Sequence, residues 1–345
     1  MIKSKILTIL PLTENFSKSK AGAVSLFLKD NNKYSKFKNF VVGSTHSTDL
    51  ISNNYKNFII NRSFFSLSKN ISYAKKIVDF ISKNDFKIIE VHNRPQIAIY
   101  LLKNGIKNIS IFFHNDPLNL RKSNKIKERK YLLENCKNIF FNSKWTKKRF
   151  FHDFKNIFPK KTYVIYQGIS KKTKFNKKLK IITFAGKLNK SKGFDIFCES
   201  IINILDVFPD WKAIVIGDEP REKFNYHHKN LKYTGWIEHN KVINIFKKSS
   251  ILVANSSWEE PFGRVAVEGA ATGNVVIMTK KGGLPETTKI KILLKKNNTK
   301  NLTKELKKLI DSPKNLLKMQ KLTFNNFEHH SKKIISKLDK IRVGI

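Results

Sequence analysis

SSWEEPFGRVAVEGAATGNVVIMTKKGGLPE, Ser256 to Glu286, is the stretch on which the reading of this chain turns. A β-branched run, SILVANSS (Ser250–Ser257), leads into it, and a second, VVIMTK (Val275–Lys280), lies inside it. Between them Gly263–Ala271 reads as a helix, with Pro261 where a helix start tolerates proline. Strand, helix and strand at this spacing form a βαβ unit, which joins parallel strands. Glu260 and Glu268 are separated by seven residues. The first falls in the loop leaving the strand, the second about two turns into the helix. Backbone N–H groups of Phe262, Gly263 and Arg264 at the helix N-terminus make an anion site suited to a diphosphate. Glu268 can accept charge-assisted hydrogen bonds from a ribose diol. Glutamate pairs on helices are more often simply solvated, so the spacing alone leaves that alternative standing.

The same alternation extends on both sides. Upstream in the second half come IITFAG (Ile181–Gly186) and KAIVIGD (Lys212–Asp218) as strands, with helices around Phe194–Val207 and Asn240–Lys248. In the first half the candidate strands are Ile6–Leu12, Asn39–Gly43, Lys87–His92, Ile109–His114 and Asn138–Ser143. The clearest helix there is Ile71–Lys83, where Ile71, Ala74, Ile77, Val78 and Ile81 recur at three- and four-residue spacing. YVIYQGI (Tyr163–Ile169) is followed by the Lys-rich stretch Ser170–Lys180, which reads as an interdomain linker. The tail Phe324–Val343 carries Ile334, Ile335, Leu338 and Ile341 on one side and reads as a docking helix. The expected architecture is α/β, with domains over 1–170 and 171–323 and a C-terminal helix over 324–345 that packs back toward the first domain.

Length supports two domains, since 345 residues exceed the size at which one core keeps growing. Apolar content of 40%, with 27 Phe, argues against a disordered chain. The net charge of +42 is spread along the whole sequence, mostly as Lys with Asn abundant beside it, as codon usage in an AT-rich genome would produce. A basic face toward anionic lipid or an anionic substrate is the functional alternative. Dedicated nucleic-acid binding is disfavoured, because no RNA- or DNA-binding motif appears. Cys136 and Cys198 are isolated, so metal-ligand spacing and a disulfide framework are both missing from the sequence, and a reducing cytoplasm fits. The N-terminal apolar run reads as a buried first strand and not as a signal sequence, and no stretch is long enough for a membrane span.

Two further segments end strands with histidine: EVHNRP (Glu90–Pro95) and FFHNDP (Phe112–Pro117). Open α/β sheets bind ligands at that carboxyl edge, which makes His92 and His114 candidates, against the plainer reading of satisfied structural histidines. GxGxxG and Walker lysine loops are absent from the sequence, which disfavours a dinucleotide oxidoreductase or a P-loop enzyme.

Ser256–Glu286 resembles the E-x7-E region of glycosyltransferase family 4, the retaining enzymes of the GT-B fold. FAGKLNKSKGFDIFCESI (Phe184–Ile201) is similar to that family's phosphate-binding strand and helix, and VIYQGI (Val164–Ile169) to its interdomain strand. FFNSKWTKKRF (Phe140–Phe150) resembles the last part of its N-terminal domain. The similarities cover most of Phe140–Glu286. The resemblance implies two Rossmann-like doubly wound domains facing across a cleft, the first for the acceptor and the second for a nucleotide-sugar donor.

Residue by residue, the resemblance implies catalytic roles for His114, Lys187, Lys192 and Glu260, with Glu260 holding hydroxyls of the donor sugar. It implies donor binding by Gly22, Lys187, Lys192, Glu260, Phe262, Gly263, Arg264 and Glu268, the last at the ribose. Lys187 departs from the family's usual Arg, replacing a planar bidentate donor by a point charge. KAGAV (Lys20–Val24) resembles the Gly-rich first loop, with the usual glycine pair reduced to Ala21 and Gly22. The implied reaction moves a sugar from a nucleoside diphosphate to a hydroxyl with retention, without a required metal or further cofactor. The acceptor is expected to be a saccharide or lipid-linked precursor of a cell-surface polysaccharide or glycolipid. The expected location is the cytoplasm, with peripheral contact at the inner face of an anionic membrane as one form of it. Rival readings are a GT-B epimerase or phosphorylase, or a nonenzymatic basic protein binding RNA or lipid.

Overall fold

The computed structural model describes residues 5–60, 68–155, 161–170 and 174–344. The chain divides into two compact units, Met1–Gly168 with Ser331–Ile345, and Ile169–His330.

In the first unit the elements run β1 (Lys5–Ile9), α1 (Ala23–Tyr34), β2 (Lys38–Gly43), β3 (Tyr55–Asn57), α2 (Lys69–Ser82), β4 (Ile88–His92) and α3 (Pro95–Lys103). They continue with β5 (Ile109–Phe113), α4 (Ile126–Asn135), β6 (Asn138–Phe141), α5 (Lys144–Phe150) and β7 (Thr162–Val164). The strands form one parallel sheet in the order β3-β2-β1-β4-β5-β6-β7. Strands covered by helices on both faces must be apolar along their length. IIEVH of β4, ISIFF of β5 and NIFF of β6 are buried at every position.

The second unit begins with β8 (Ile181–Ala185), α6 (Phe194–Val207), β9 (Lys212–Ile216), β10 (Leu231–Tyr233), α7 (His239–Lys248) and β11 (Ile251–Ala254). It ends with α8 (Arg264–Ala271), β12 (Val275–Met278), β13 (Ile292–Leu293), α9 (Thr299–Ile310) and α10 (Pro313–Asn325). Its sheet is parallel in the order β10-β9-β8-β11-β12-β13. Phe194, Phe197, Cys198, Ile201, Ile204 and Leu205 of α6 form a helical stripe buried against the sheet and α9.

Each sheet has one place where the strand order reverses, and the loops leaving the two strands there diverge to open a crevice at the carboxyl edge. In the first sheet it lies between β1 and β4, in the second between β8 and β11. These pairings, and not proximity in sequence, bring site residues together.

Several boundaries differ from those read in the sequence. The helix of the tail starts later than Phe324: α10 ends at Asn325, and the last helix, α11 (Ser331–Val343), starts after a break and carries Ile334, Ile335, Leu338 and Ile341. Only α11 belongs to the first unit, where Ile335 and Leu338 pack with Val24, Phe27 and Leu28 of α1. The helix of the central motif starts at Arg264, since Gly263 at φ 106° caps it in a left-handed conformation that leaves Pro261 outside. Of the stretch read as a linker, residues 171–173 lie outside the described residues. Its later part is docked on the second unit: Phe175 meets Phe324 edge-on, and the Lys178 ammonium donates to the carbonyls of Phe246 (3.0 Å) and Thr272 (2.6 Å) at the ends of α7 and α8. Burial lowers the Lys178 amine to about 7.

Candidate active site

The second unit gathers Lys187, Lys192, Glu260, Gly263, Arg264 and Glu268 around its switch point. Lys187 follows β8 and is exposed. Its charge contributes, after the dominant hydrogen bonds from Arg221, to holding the Glu219 carboxyl at about 2. Lys192 closes a 3-10 turn capped by Asn189. The Asn189 side chain accepts from the Lys192 N–H at 3.0 Å and the Ser191 hydroxyl at 2.8 Å. Gly193 comes next at φ 74°, and a Cβ there would lie 2.2 Å from the Asn255 carbonyl at the end of β11. Only glycine permits that approach, which draws the β8 loop onto the β11 loop.

The ammonium of Lys192 pairs with the carboxylate of Glu260, which is buried in the turn after β11. The same ammonium lies 5.7 Å from the centre of the Trp258 ring. The Glu260 backbone is pinned as well, its carbonyl accepting from Gly283 N–H at 2.7 Å.

Glu268 sits in the second turn of α8, 3% exposed. Arg264, one turn earlier, donates from Nε to its Oε1 at 2.9 Å, and His239 at the start of α7 donates from Nε2 to the same oxygen at 2.8 Å. Burial acts to raise the Glu268 carboxyl, and these two donors outweigh it and hold it below the usual range. Phe262 does not face a ligand with its ring, which is buried and meets His329 edge-on.

In the first unit His92 ends β4 and His114 follows β5, so adjacent strands bring the two imidazoles together. His92 Nδ1 lies 2.9 Å from His114 Nε2, and His114 Nδ1 lies 3.2 Å from Gln167 Nε2. The His92 ring stacks on Phe112, and Asn93, in a left-handed conformation at φ 57°, accepts from the N–H groups of His114 and Asn115. Burial lowers both imidazoles, that of His114 to about 3. The pair is neutral at physiological pH and has both His114 nitrogens engaged within the protein.

Gly22 caps α1. The carboxylate of Glu14 covers it so closely that a Cβ would meet Oε1 at 2.6 Å, and Oε1 accepts the Ser25 N–H at 2.8 Å. The loop therefore presents a protein carboxylate at a helix N-terminus where bare N–H groups would suit phosphate. Sequence reading passed over Glu14, Trp258 and His239. Trp258 stands two positions before Glu260 and was open to notice, whereas Glu14 lies eight positions before Gly22. His239, 29 positions from Glu268, gave no local signal.

Residues 166–325 match the family model described as glycosyl transferases group 1. An uncharacterised glycosyltransferase of Methanocaldococcus jannaschii, MJ1178, is 31% identical over 303 residues, covering 81% of this chain and 82% of that protein. The putative glycosyltransferase YtcC of Bacillus subtilis is 25% identical over 251 residues, and the match spans 63% of this chain and 61% of YtcC. Among solved structures, Anabaena HepE in complex with UDP and glucose aligns with a TM-score of 0.77 at 18% identity, covering 99% of this chain and 100% of that one. With this relative at 31% identity and two parallel α/β units matching GT-B structures, the chain belongs to the group 1 glycosyl transferases and has the GT-B fold.

Proposed function

We propose that this protein is a retaining transferase of glycosyltransferase family 4, moving a hexosyl group from a nucleoside-diphosphate sugar to an acceptor hydroxyl. The observation that carries the reading is the juxtaposition, at one switch point, of Lys192 on Glu260 and of a buried, ionised Glu268 on the helix that follows. In this reading Lys192 is the cation for phosphate, Glu260 the carboxylate for sugar hydroxyls and Glu268 the carboxylate for the ribose. That a structural relative holds UDP and glucose supports the same choice of ligand.

In this reading the bond from the anomeric carbon to the β-phosphate oxygen breaks with its electron pair going to the phosphate. Lys187, Lys192 and the N–H groups opening α8 meet that charge. The acceptor oxygen bonds to the same face of the anomeric carbon, and its proton passes to the departing phosphate. Glu260 holds hydroxyls of the sugar, and Glu268 holds the ribose. The acceptor is a saccharide or lipid-linked precursor of a surface polysaccharide or glycolipid, met at the cytoplasmic face of a membrane.

The test is a screen of UDP-, GDP- and ADP-sugars for thermal stabilisation, followed by analysis of the anomeric configuration of any product. A donor at 100 times its dissociation constant adds about 2.7 kcal/mol to stability. Failure of every nucleotide sugar to stabilise the protein, or an inverted product, would overturn the reading.

A further inference from the structure

Glu268 needs help that its own helix supplies only in part. A carboxylate this buried tends to take up a proton, and a protonated acid would lose much of its capacity to accept hydrogen bonds from a ligand. Arg264 is a local partner, one turn away on α8, and would accompany any carboxylate at this position. His239 is different. It is brought from α7, and its imidazole, 22% exposed, stands beside the 4% exposed carboxylate. Both donors fall on Oε1. Two donors on one oxygen from two directions fix the plane of the carboxyl group and with it the direction of Oε2.

We infer that His239 is a positioning residue for the nucleoside end of the donor: by its bond to Oε1 it holds the Glu268 carboxylate aimed at the ribose diol. The inference rests on the reading of Glu268 as the ribose acceptor. It assigns His239 no contact with the reacting atoms. It also explains why an imidazole serves here. A histidine reaches across from a helix start with a short, stiff side chain, which loses little rotamer freedom when it makes the bond.

The experiment compares ligands with and without the diol. Wild type, His239→Ala and His239→Gln are titrated with UDP, GDP and ADP and with the 2′,3′-dideoxy form of each, and melting curves are recorded beside them. His239→Ala should weaken binding of the ribonucleotide that wild type prefers by about tenfold, the order of one charge-assisted hydrogen bond. It should leave the dideoxy form bound as in wild type, so that discrimination between the two is lost. His239→Gln, which keeps an N–H donor, should recover most of it. Equal discrimination in His239→Ala and wild type would overturn the inference. So would parallel weakening of both ligands in the Ala and Gln variants with a lowered melting temperature, which marks a merely structural role. If wild type itself binds both forms of every nucleotide equally, the reading of Glu268 fails first, and the inference falls with it.

Discussion

Lys192 and Glu260, 68 positions apart in the chain, form an ion pair across the switch point of the second sheet. The pair joins two loops that leave adjacent parallel strands, β8 and β11. A donor diphosphate entering here would find the ammonium already oriented by Glu260 and by the face of Trp258.

Lys192→Ala should lower turnover at saturating donor by about a hundredfold or more, as loss of one donor to developing charge does. It should also lower the melting temperature, because the buried Glu260 carboxylate loses its partner, so turnover is measured on the folded variant. Lys187→Ala should also slow turnover with an unchanged melting curve, whereas Lys187→Arg should be tolerated. A folded Lys192→Ala working at the wild-type rate would remove the diphosphate from this place.

Glu268→Gln should weaken donor binding by roughly 1.5–3 kcal/mol, since the acceptor loses its charge. Glutamine is the better probe than alanine, because deleting the side chain would leave the Arg264 guanidinium without its buried carboxylate. Calorimetric titration decides the matter, and unaltered affinity in the folded variant takes Glu268 out of the site.

Arg342→Ala should destabilise the first unit by about 3–5 kcal/mol. Arg342 on α11 donates to both oxygens of Glu90 on β4, at 2.8 and 2.7 Å, and to Asp339 at 2.8 Å, with Arg342 and Glu90 each 1% exposed. Removing one partner strands a buried charge. Truncation before Ser331 should act in the same direction and also uncover the apolar face of α1. A melting temperature that does not move in either variant would show the last helix to be dispensable.

Acid should destabilise the first unit through its paired histidines. His114 titrates near 6.5 when unfolded and near 3 when folded, and burial lowers His92 as well, aided by the charges of His114 and Arg342. Between those values the unfolded chain binds more protons than the native one. The associated stability is therefore fully present above about pH 6.5 and is lost progressively as pH falls toward 3. Melting temperatures from pH 7.5 down to 4 should decline in that window, and His114→Gln should flatten the decline. An equal slope in wild type and variant would assign the acid sensitivity elsewhere.

Much of this was open to reading because it is local. The central strands IITFAG, SILVANSS and VVIMTK announce themselves by β-branched runs, and the helix between the last two by its flanking glycine and small residues. The spacing of Glu260 and Glu268 survives folding, as one loop and one helix carry both. The short strands β3 and β13 gave no such signal, being too brief for a period of two to register. The helix read from Gly263 starts one residue later, at Arg264, since Gly263 is left-handed and serves as its cap.

The sequence by itself determined an α/β chain with two sets of strands, and named the carboxylates and lysines that a donor site would use. Tertiary structure alone decided that β8 lies beside β11, so that Lys192 meets Glu260, that His239 shares the Oε1 of Glu268, and that Arg342 reaches Glu90. The physical reason is one of range. Hydrogen-bonding period and turn chemistry act over a few residues and are written where they act. Strand order is set by which crossovers let every apolar face be buried at once, a condition on the whole sheet that no single segment contains.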